Sequence, residues 1–235
     1  MANRPGGAMA SRPLHFIWMV DCSGSMAADG KVQSLNSAIR EALPHMADVA
    51  RENPNAELLL RAVAFSNGAR WHVANPMPVS EFRWDDVEAA GMTDMGKAFR
   101  TVADQLRVPP MSERALPPVL ALLSDGQPSD DWQTGLAELM AQPWGKKAVR
   151  IAIAIGADAD HDVLSRFIGN PELRPLQANN PEALVRHIRW VSTVVLQSAS
   201  APGTQQADGS PITSNVVIPP SDPAGSGPTS ATDVW

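Results

Sequence analysis

Apolar and polar positions along this chain follow two alternating rhythms. Leu14–Val20, Leu58–Phe65, Val119–Leu123 and Val149–Ile155 are short runs of apolar, β-branched and aromatic residues with almost no polar member. Such runs predict strands buried on both faces, because a strand with one wet face would alternate. Between them the apolar residues return every three or four positions. Val32, Leu35, Ile39, Leu43, Met46 and Val49 form one such stripe and predict a helix. Pro44 is expected to kink it, since its ring clashes with the carbonyl of Arg40. Further helices are predicted from Met95 to about Leu106, near Asp131 to Met140, from Asp160 to Ile168 and from Pro181 to about Leu196. Trp71–Val73 is expected to be a short edge strand that opens a proline-broken loop.

Strands separated by amphipathic helices imply parallel βαβ units. The expected fold is therefore α/β, with a doubly wound, mostly parallel sheet flanked by helices on both faces. One domain is expected over residues 13–196, and no internal repeat is visible. Residues 1–12, with Pro5-Gly6-Gly7, read as unstructured. From Gln197 onward the rhythm stops, and 21 of 39 residues are Pro, Gly, Ser or Thr. A segment of that composition buries too little apolar surface to offset its ordering entropy, so residues 197–235 are expected to form a disordered tail.

Charge and cysteine usage narrow the function. The net charge of −6, from 25 acids against 19 bases, gives no general field for DNA or RNA, and no nucleic-acid partner is expected. Three of the acids, Asp208, Asp222 and Asp233, lie in the tail, which has no Lys or Arg. The lone Cys22 excludes an internal disulfide and a cysteine-based zinc cage. No apolar run near the start is long enough for a bilayer span or a signal-peptide core. The chain reads as a reduced, cytoplasmic protein with no membrane partner.

In doubly wound sheets ligands bind outside the carboxyl ends of the strands. The first strand ends in Asp21-Cys22-Ser23-Gly24-Ser25, and the strand at 119–123 ends in Ser124-Asp125-Gly126-Gln127-Pro128-Ser129-Asp130. Gly91-Met92-Thr93-Asp94-Met95-Gly96 precedes a predicted helix between them. The alternate spacing of Asp21, Ser23 and Ser25 lets one tight turn point three oxygen-bearing side chains to one side, with Gly24 relaxing the backbone. Oxygen-only ligands suit a hard cation such as Mg²⁺, with Mn²⁺ or Ca²⁺ as alternatives. A shell of two hydroxyls and a remote carboxylate is weakly charged and incomplete, so the metal stays able to accept a carboxylate from outside. The bland alternative is a cluster of helix caps.

These residues resemble the von Willebrand factor A (VWA) domain, whose metal-ion-dependent adhesion site combines Asp-x-Ser-x-Ser with a Thr and an Asp from two later loops. Asp21, Ser23 and Ser25 match the first loop, Thr93 the second and Asp125 the third. The resemblance implies that Ser23, Ser25 and Thr93 touch Mg²⁺ directly, while Asp21 and Asp125 hold waters or hydroxyls behind them. Thr93-Asp94-Met95-Gly96 and Ser124–Trp132 look like the bacterial tellurium-resistance TerY-like branch. That likeness implies a non-enzymatic adaptor in stress or defence signalling, working beside a Ser/Thr protein kinase and a metal-dependent protein phosphatase. Cys22 departs from the Thr carried by many relatives and is expected to point away from the metal.

The remaining polar residues are more equivocal. Asp94 and Asp130 either contact a partner or cap two successive helices. Cys22 is either a redox sensor or a buried, inert thiol. The five histidines, His15, His45, His72, His161 and His187, show no paired ligand spacing. Gly156–Asp162 reads as a helix-entry loop rather than a calcium loop. Thr213, Ser214, Ser221, Ser226, Thr229, Ser230 and Thr232 are candidate phosphoacceptors for a partner kinase, and Val216-Val217-Ile218 and Val234-Trp235 are candidate docking points. The competing function is a Mg²⁺-dependent phosphohydrolase with Asp21 or Ser23 as nucleophile. It would need positive groups for the phosphoryl oxygens, and the nearest, Lys31 and Lys97, lie in no phosphate-binding motif.

Overall fold

The computed structural model describes residues 11–53 and 55–195. The tail at 197–235, with its seven candidate phosphoacceptors, lies outside the described residues. Six strands form one sheet: β1 (Arg12–Asp21), β2 (Ala56–Ser66), β3 (Gly68–Pro78), β4 (Val119–Ser124), β5 (Val149–Ile155) and β6 (Leu176–Ala178), in the order β3-β2-β1-β4-β5-β6. Every neighbouring pair is parallel except β2 and β3. Among the described residues five α-helices accompany the sheet: α1 (Lys31–Glu52, with Pro44 inside it), α2 (Met95–Ala103), α3 (Trp132–Ala141), α4 (His161–Ile168) and α5 (Pro181–Trp190). A 3₁₀ segment, Gly24–Gly30, joins β1 to α1, and a π-helical turn, Val191–Val195, follows α5.

The alternation of side chains along β1 divides the core in two. Phe16, Trp18 and Val20 join Val32, Leu35 and Ile39 of α1 and Leu184 and Ile188 of α5. Ile17 and Met19 join Phe99 and Val102 of α2, Leu139 of α3 and Leu164 and Phe167 of α4. Phe99 and Phe167 stack there with centroids 5.4 Å apart. Burial on both faces is why β1, β4 and β5 carry almost no polar residue. The chain winds outward from β1 towards β3 on one side and from β4 towards β6 on the other. The order therefore reverses between β1 and β4, and the loops leaving those two strands flank a crevice at the sheet edge.

Three elements differ from expectation. β3 spans 11 residues rather than three, because a half-exposed antiparallel edge strand needs neither an unbroken apolar run nor clean alternation. β6 was not anticipated, since Leu176-Gln177-Ala178 is too short to show a period. Helix α2 also ends at Ala103, short of Leu106. Among the described residues no helix is long and apolar enough to cross a membrane.

His15, on β1, is largely buried, and burial together with the nearby Arg61 charge lowers its pKa from 6.5 to about 4. The native state holds this ring neutral at a pH where the unfolded chain protonates it. Stability is therefore unaffected above pH 6.5 and falls as pH drops towards 4. After allowance for residual exposure the loss is roughly 2 kcal/mol. His15→Gln should flatten that segment of a denaturant-derived stability profile. An unchanged acid slope would rule His15 out as its cause.

Candidate metal centre

Asp21 ends β1 and is fully buried. Its Oδ1 accepts the Ser23 N–H at 2.8 Å, which closes the turn and sets the alternate spacing of Asp21, Ser23 and Ser25. Its Oδ2 accepts the Ser124 hydroxyl at 2.5 Å, and Ser124 Oγ in turn accepts the Gly126 N–H at 2.8 Å. Ser124, part of the strand-end loop but not among the expected ligands, thus ties the end of β4 to the end of β1. Ser23 Oγ lies 3.0 Å from Ser25 Oγ, and Ser25 Oγ donates to Asp125 Oδ2. Four of the five candidate ligands therefore form one connected cluster across the β1–β4 crevice.

The fifth arrives on the connection between β3 and α2. Gly24 N–H donates to Gly91 O at 2.9 Å, and Ala90 N–H to Cys22 O at 2.8 Å, so this connection runs alongside the Asp21–Ser25 turn. A Cβ on Gly91, whose φ is +85°, would fall 2.5 Å from the Asn67 side chain, which explains the glycine. Thr93 follows two residues later. Ser129 fixes its backbone: Ser129 Oγ accepts the Thr93 N–H and Thr93 O accepts the Ser129 N–H, both at 2.9 Å. Thr93 Oγ1 makes no hydrogen bond among the described residues.

Further back, Asn36 of α1 clamps the same connection. Its Oδ1 accepts Trp84 Nε1–H at 2.9 Å and the Val87 N–H at 3.0 Å, while its Nδ2 donates to Val87 O at 2.9 Å. Only its position as a polar residue inside the apolar stripe of α1 could have flagged it. Asn36→Ala leaves a buried indole N–H and a backbone N–H without acceptors. The expected cost is about 2 kcal/mol in denaturant unfolding, with faster amide exchange over residues 84–93. Exchange that speeds up uniformly across the chain would remove Asn36's special hold on that connection.

Electrostatics make the cluster costly without a cation. Burial, and then the neighbouring Asp125 charge, push the Asp21 carboxyl up from 3.8 to about 6. Asp125 is also fully buried, and among the described residues no Lys, Arg or His forms an ion pair with either acid. The donor set fits a hard divalent ion. Neighbouring oxygens of an octahedral shell with bonds of about 2.1 Å lie about 3 Å apart, and the Ser23–Ser25 hydroxyl separation is 3.0 Å.

Asp94 and Asp130 sit beside the cluster, and their carboxylates are engaged within the protein. Asp94 Oδ2 accepts the Gly68 N–H at 2.7 Å and pairs with Lys97 Nζ at 2.6 Å. The Lys97 hydrogen bond is the main reason its carboxyl titrates below the usual range. Asp130 does not cap the helix that follows it. It accepts Gly96 N–H at 2.8 Å and Lys97 N–H at 3.0 Å, capping α2 from a loop 34 residues away, while Asp131 caps α3 through Thr134 N–H. Asp160 caps α4 in the helix-entry loop. Cys22 is buried in the α1 side of the core, where burial pushes its thiol up to about 12, so it is no accessible redox sensor. Among the described residues no group of three or more His, Cys, Asp or Glu could hold a metal ion.

No protein-family model and no curated protein matches the chain by sequence. Solved structures do. A von Willebrand factor type A protein from Catenulispora acidiphila superposes with a TM-score of 0.59 at 17% identity over 80% of this chain and 43% of its own. The fold is that of a VWA domain. The ArnB paralog VWA2 from Sulfolobus acidocaldarius aligns at 19% identity and a TM-score of 0.57, over 78% of this chain and 46% of that one. Proximal thread matrix protein 1 of the mussel byssus aligns at 15% identity and a TM-score of 0.58, over 80% and 48%, in a structure with a zinc-occupied metal-ion-dependent adhesion site. This chain spans less than half the length of each. On the VWA fold, the β1–β4 switch point is the place where Asp21, Ser23, Ser25 and Asp125 meet.

Proposed function

We propose that this VWA-fold chain is a divalent-metal-dependent protein-interaction module without catalytic activity. The observation that carries the reading is the pair of hydroxyls, Ser23 and Ser25, held 3.0 Å apart and backed by two buried carboxylates at the switch point. Ser23, Ser25 and Thr93 would hold Mg²⁺, with Asp21 and Asp125 behind them. When bound, the metal supplies an electrophilic position that an acidic side chain of a partner can fill. Asp21 fixes the turn through the Ser23 N–H, Asp125 orients the Ser25 hydroxyl, and Ser129 holds the backbone of Thr93 in place. The zinc-occupied site of the byssus protein supports a divalent occupant.

The likeness of Thr93–Gly96 and Ser124–Trp132 to the TerY-like branch supports a finer reading. In it the module joins a Ser/Thr kinase and a metal-dependent phosphatase in bacterial stress or tellurium-resistance signalling, and the lone, unpaired Cys22 favours the cytoplasm. The non-catalytic reading gains support from the two nearest bases. Lys97 pairs with Asp94 at 2.6 Å and Lys31 with Asp158 at 3.6 Å, which commits both to structure rather than to phosphate. Affinity capture from a native lysate, with Mg²⁺ or with chelator, tests the proposal. Wild type with Mg²⁺ should retain its partner, while chelation or Ser23→Ala should release it. Equal recovery under all conditions would refute a metal-completed interface.

A further inference from the structure

A groove of about 850 Å³ runs between α1 and α5 and involves none of the residues of the metal centre. Its α1 wall is low, built from small hydroxyls such as Ser34 and Ser37. Its α5 wall carries Val185, Arg189 and Trp190, and the groove continues past α5 to Thr193. Val185 and Trp190 are each only partly buried, so the α5 wall presents an indole and an aliphatic group beside an exposed guanidinium. Glu41 and Glu182 also line the groove, so its charge is mixed rather than generally basic.

We propose that the chain's own segment Val216-Val217-Ile218-Pro219-Pro220-Ser221-Asp222 occupies this groove. The described chain reaches residue 195 in the π-helical turn that forms one end of the groove, so the remainder sets out from the site it would fill. About 20 residues separate that turn from Val216, enough chain to span about 25 Å. The α1 wall from Gln33 to Glu41 is about 12 Å long, well inside that radius. Val216 to Pro220 is a run of five apolar residues in a tail where 21 of 39 residues are Pro, Gly, Ser or Thr. Its Pro-Pro pair favours the extended polyproline conformation, which loses little entropy on docking against an aromatic side chain. In that conformation Pro219 and Asp222 fall on the same side, one turn apart. Such spacing lets proline stack on Trp190 while the carboxylate meets Arg189. The tail has no Lys or Arg to oppose that pairing or to seek Glu41 and Glu182. Tethering favours this occupant over a free peptide of equal affinity.

The test uses the full chain with a photo-crosslinking benzoylphenylalanine in place of Val217. Crosslinks should map within one molecule to residues 33–41 and 181–193, and Arg189→Glu should lower their yield at least threefold. In the chain without the crosslinker, Ile218→Asp should speed amide exchange over residues 185–193 at least threefold, without touching any residue of the folded domain. Crosslinks mapping elsewhere, or found only in covalent dimers whose yield rises with concentration, would overturn the proposal. Unchanged exchange in Ile218→Asp would overturn it as well. None of these readouts depends on divalent metal, so failure here leaves the metal-centre reading intact.

Discussion

Asp21→Asn is expected to make the metal-free protein more stable while removing its stabilisation by divalent metal. The two effects have opposite signs and one cause. Asp21 and Asp125 are both fully buried, and among the described residues no basic side chain pairs with either. The amide keeps the shape of the carboxylate. Its oxygen still accepts the Ser23 N–H, and its NH₂ can donate to the second lone pair of Ser124 Oγ, which already accepts the Gly126 N–H. What disappears is a buried negative charge facing another one, so the metal-free fold gains roughly 1–2 kcal/mol near neutral pH. With that charge gone the hydroxyl pair loses part of the field that favours a cation. Metal at a hundredfold excess over its dissociation constant would stabilise wild type by about 2.7 kcal/mol, and the variant should show a small fraction of that. Thermal melts of both proteins, in chelator and in excess Mg²⁺, measure all four quantities. A variant destabilised in chelator would mean that Asp21 is a structural acceptor first and that its charge carries no penalty.

The parts of this molecule legible from sequence are those whose physics is local. β1, β4 and β5 stand out because burial on both faces leaves a strand few polar positions. Asp21, Ser23 and Ser25 stand out because one turn at a strand end must supply all three oxygens, so their spacing is visible in the chain. The rest depends on contacts between distant segments. Ser124 matters because β4 lies beside β1, and its hydroxyl reaches Asp21 across 103 residues. Asn36 looks like a polar interruption of an apolar stripe until Trp84 and Val87 are folded onto it. Asp130 shows the same limit from the other side. Its place before a helix suggests a cap for that helix, yet Asp131 already serves there, and the Asp130 carboxylate turns to the open N-terminus of α2. A side chain at a loop satisfies whichever orphan N–H groups the tertiary fold presents, and sequence order does not say which.

The backbone contact between α2 and α3 turns that long-range geometry into the second large expected effect. Gly96 and Gly135 bring the two helices to backbone contact. A Cβ on Gly96 would lie 2.5 Å from Asp131 O and 2.9 Å from Trp132 Cα, and one on Gly135 would lie 2.5 Å from Gly96 O. Backbone atoms cannot swing aside as a flexible side chain would, so Gly96→Ala must drive the helices apart. The displacement would fall on the bonds that hold Thr93 and α2 to the loop after β4, namely Asp130 to Gly96 and Lys97, and Ser129 to Thr93. Overpacking together with loss of the cap is expected to cost about 3–4 kcal/mol. Divalent-metal affinity should fall at least tenfold, although residue 96 carries no ligand atom. Arg100→Ala is the matched control. It removes the Arg100–Glu138 ion pair between the same two helices, but both side chains are well exposed, so less than about 1 kcal/mol is expected. Urea unfolding and metal titration of the two variants separate the contributions. If Gly96→Ala unfolds within about 0.5 kcal/mol of wild type and keeps its metal affinity, the close approach of α2 and α3 is not what positions Thr93.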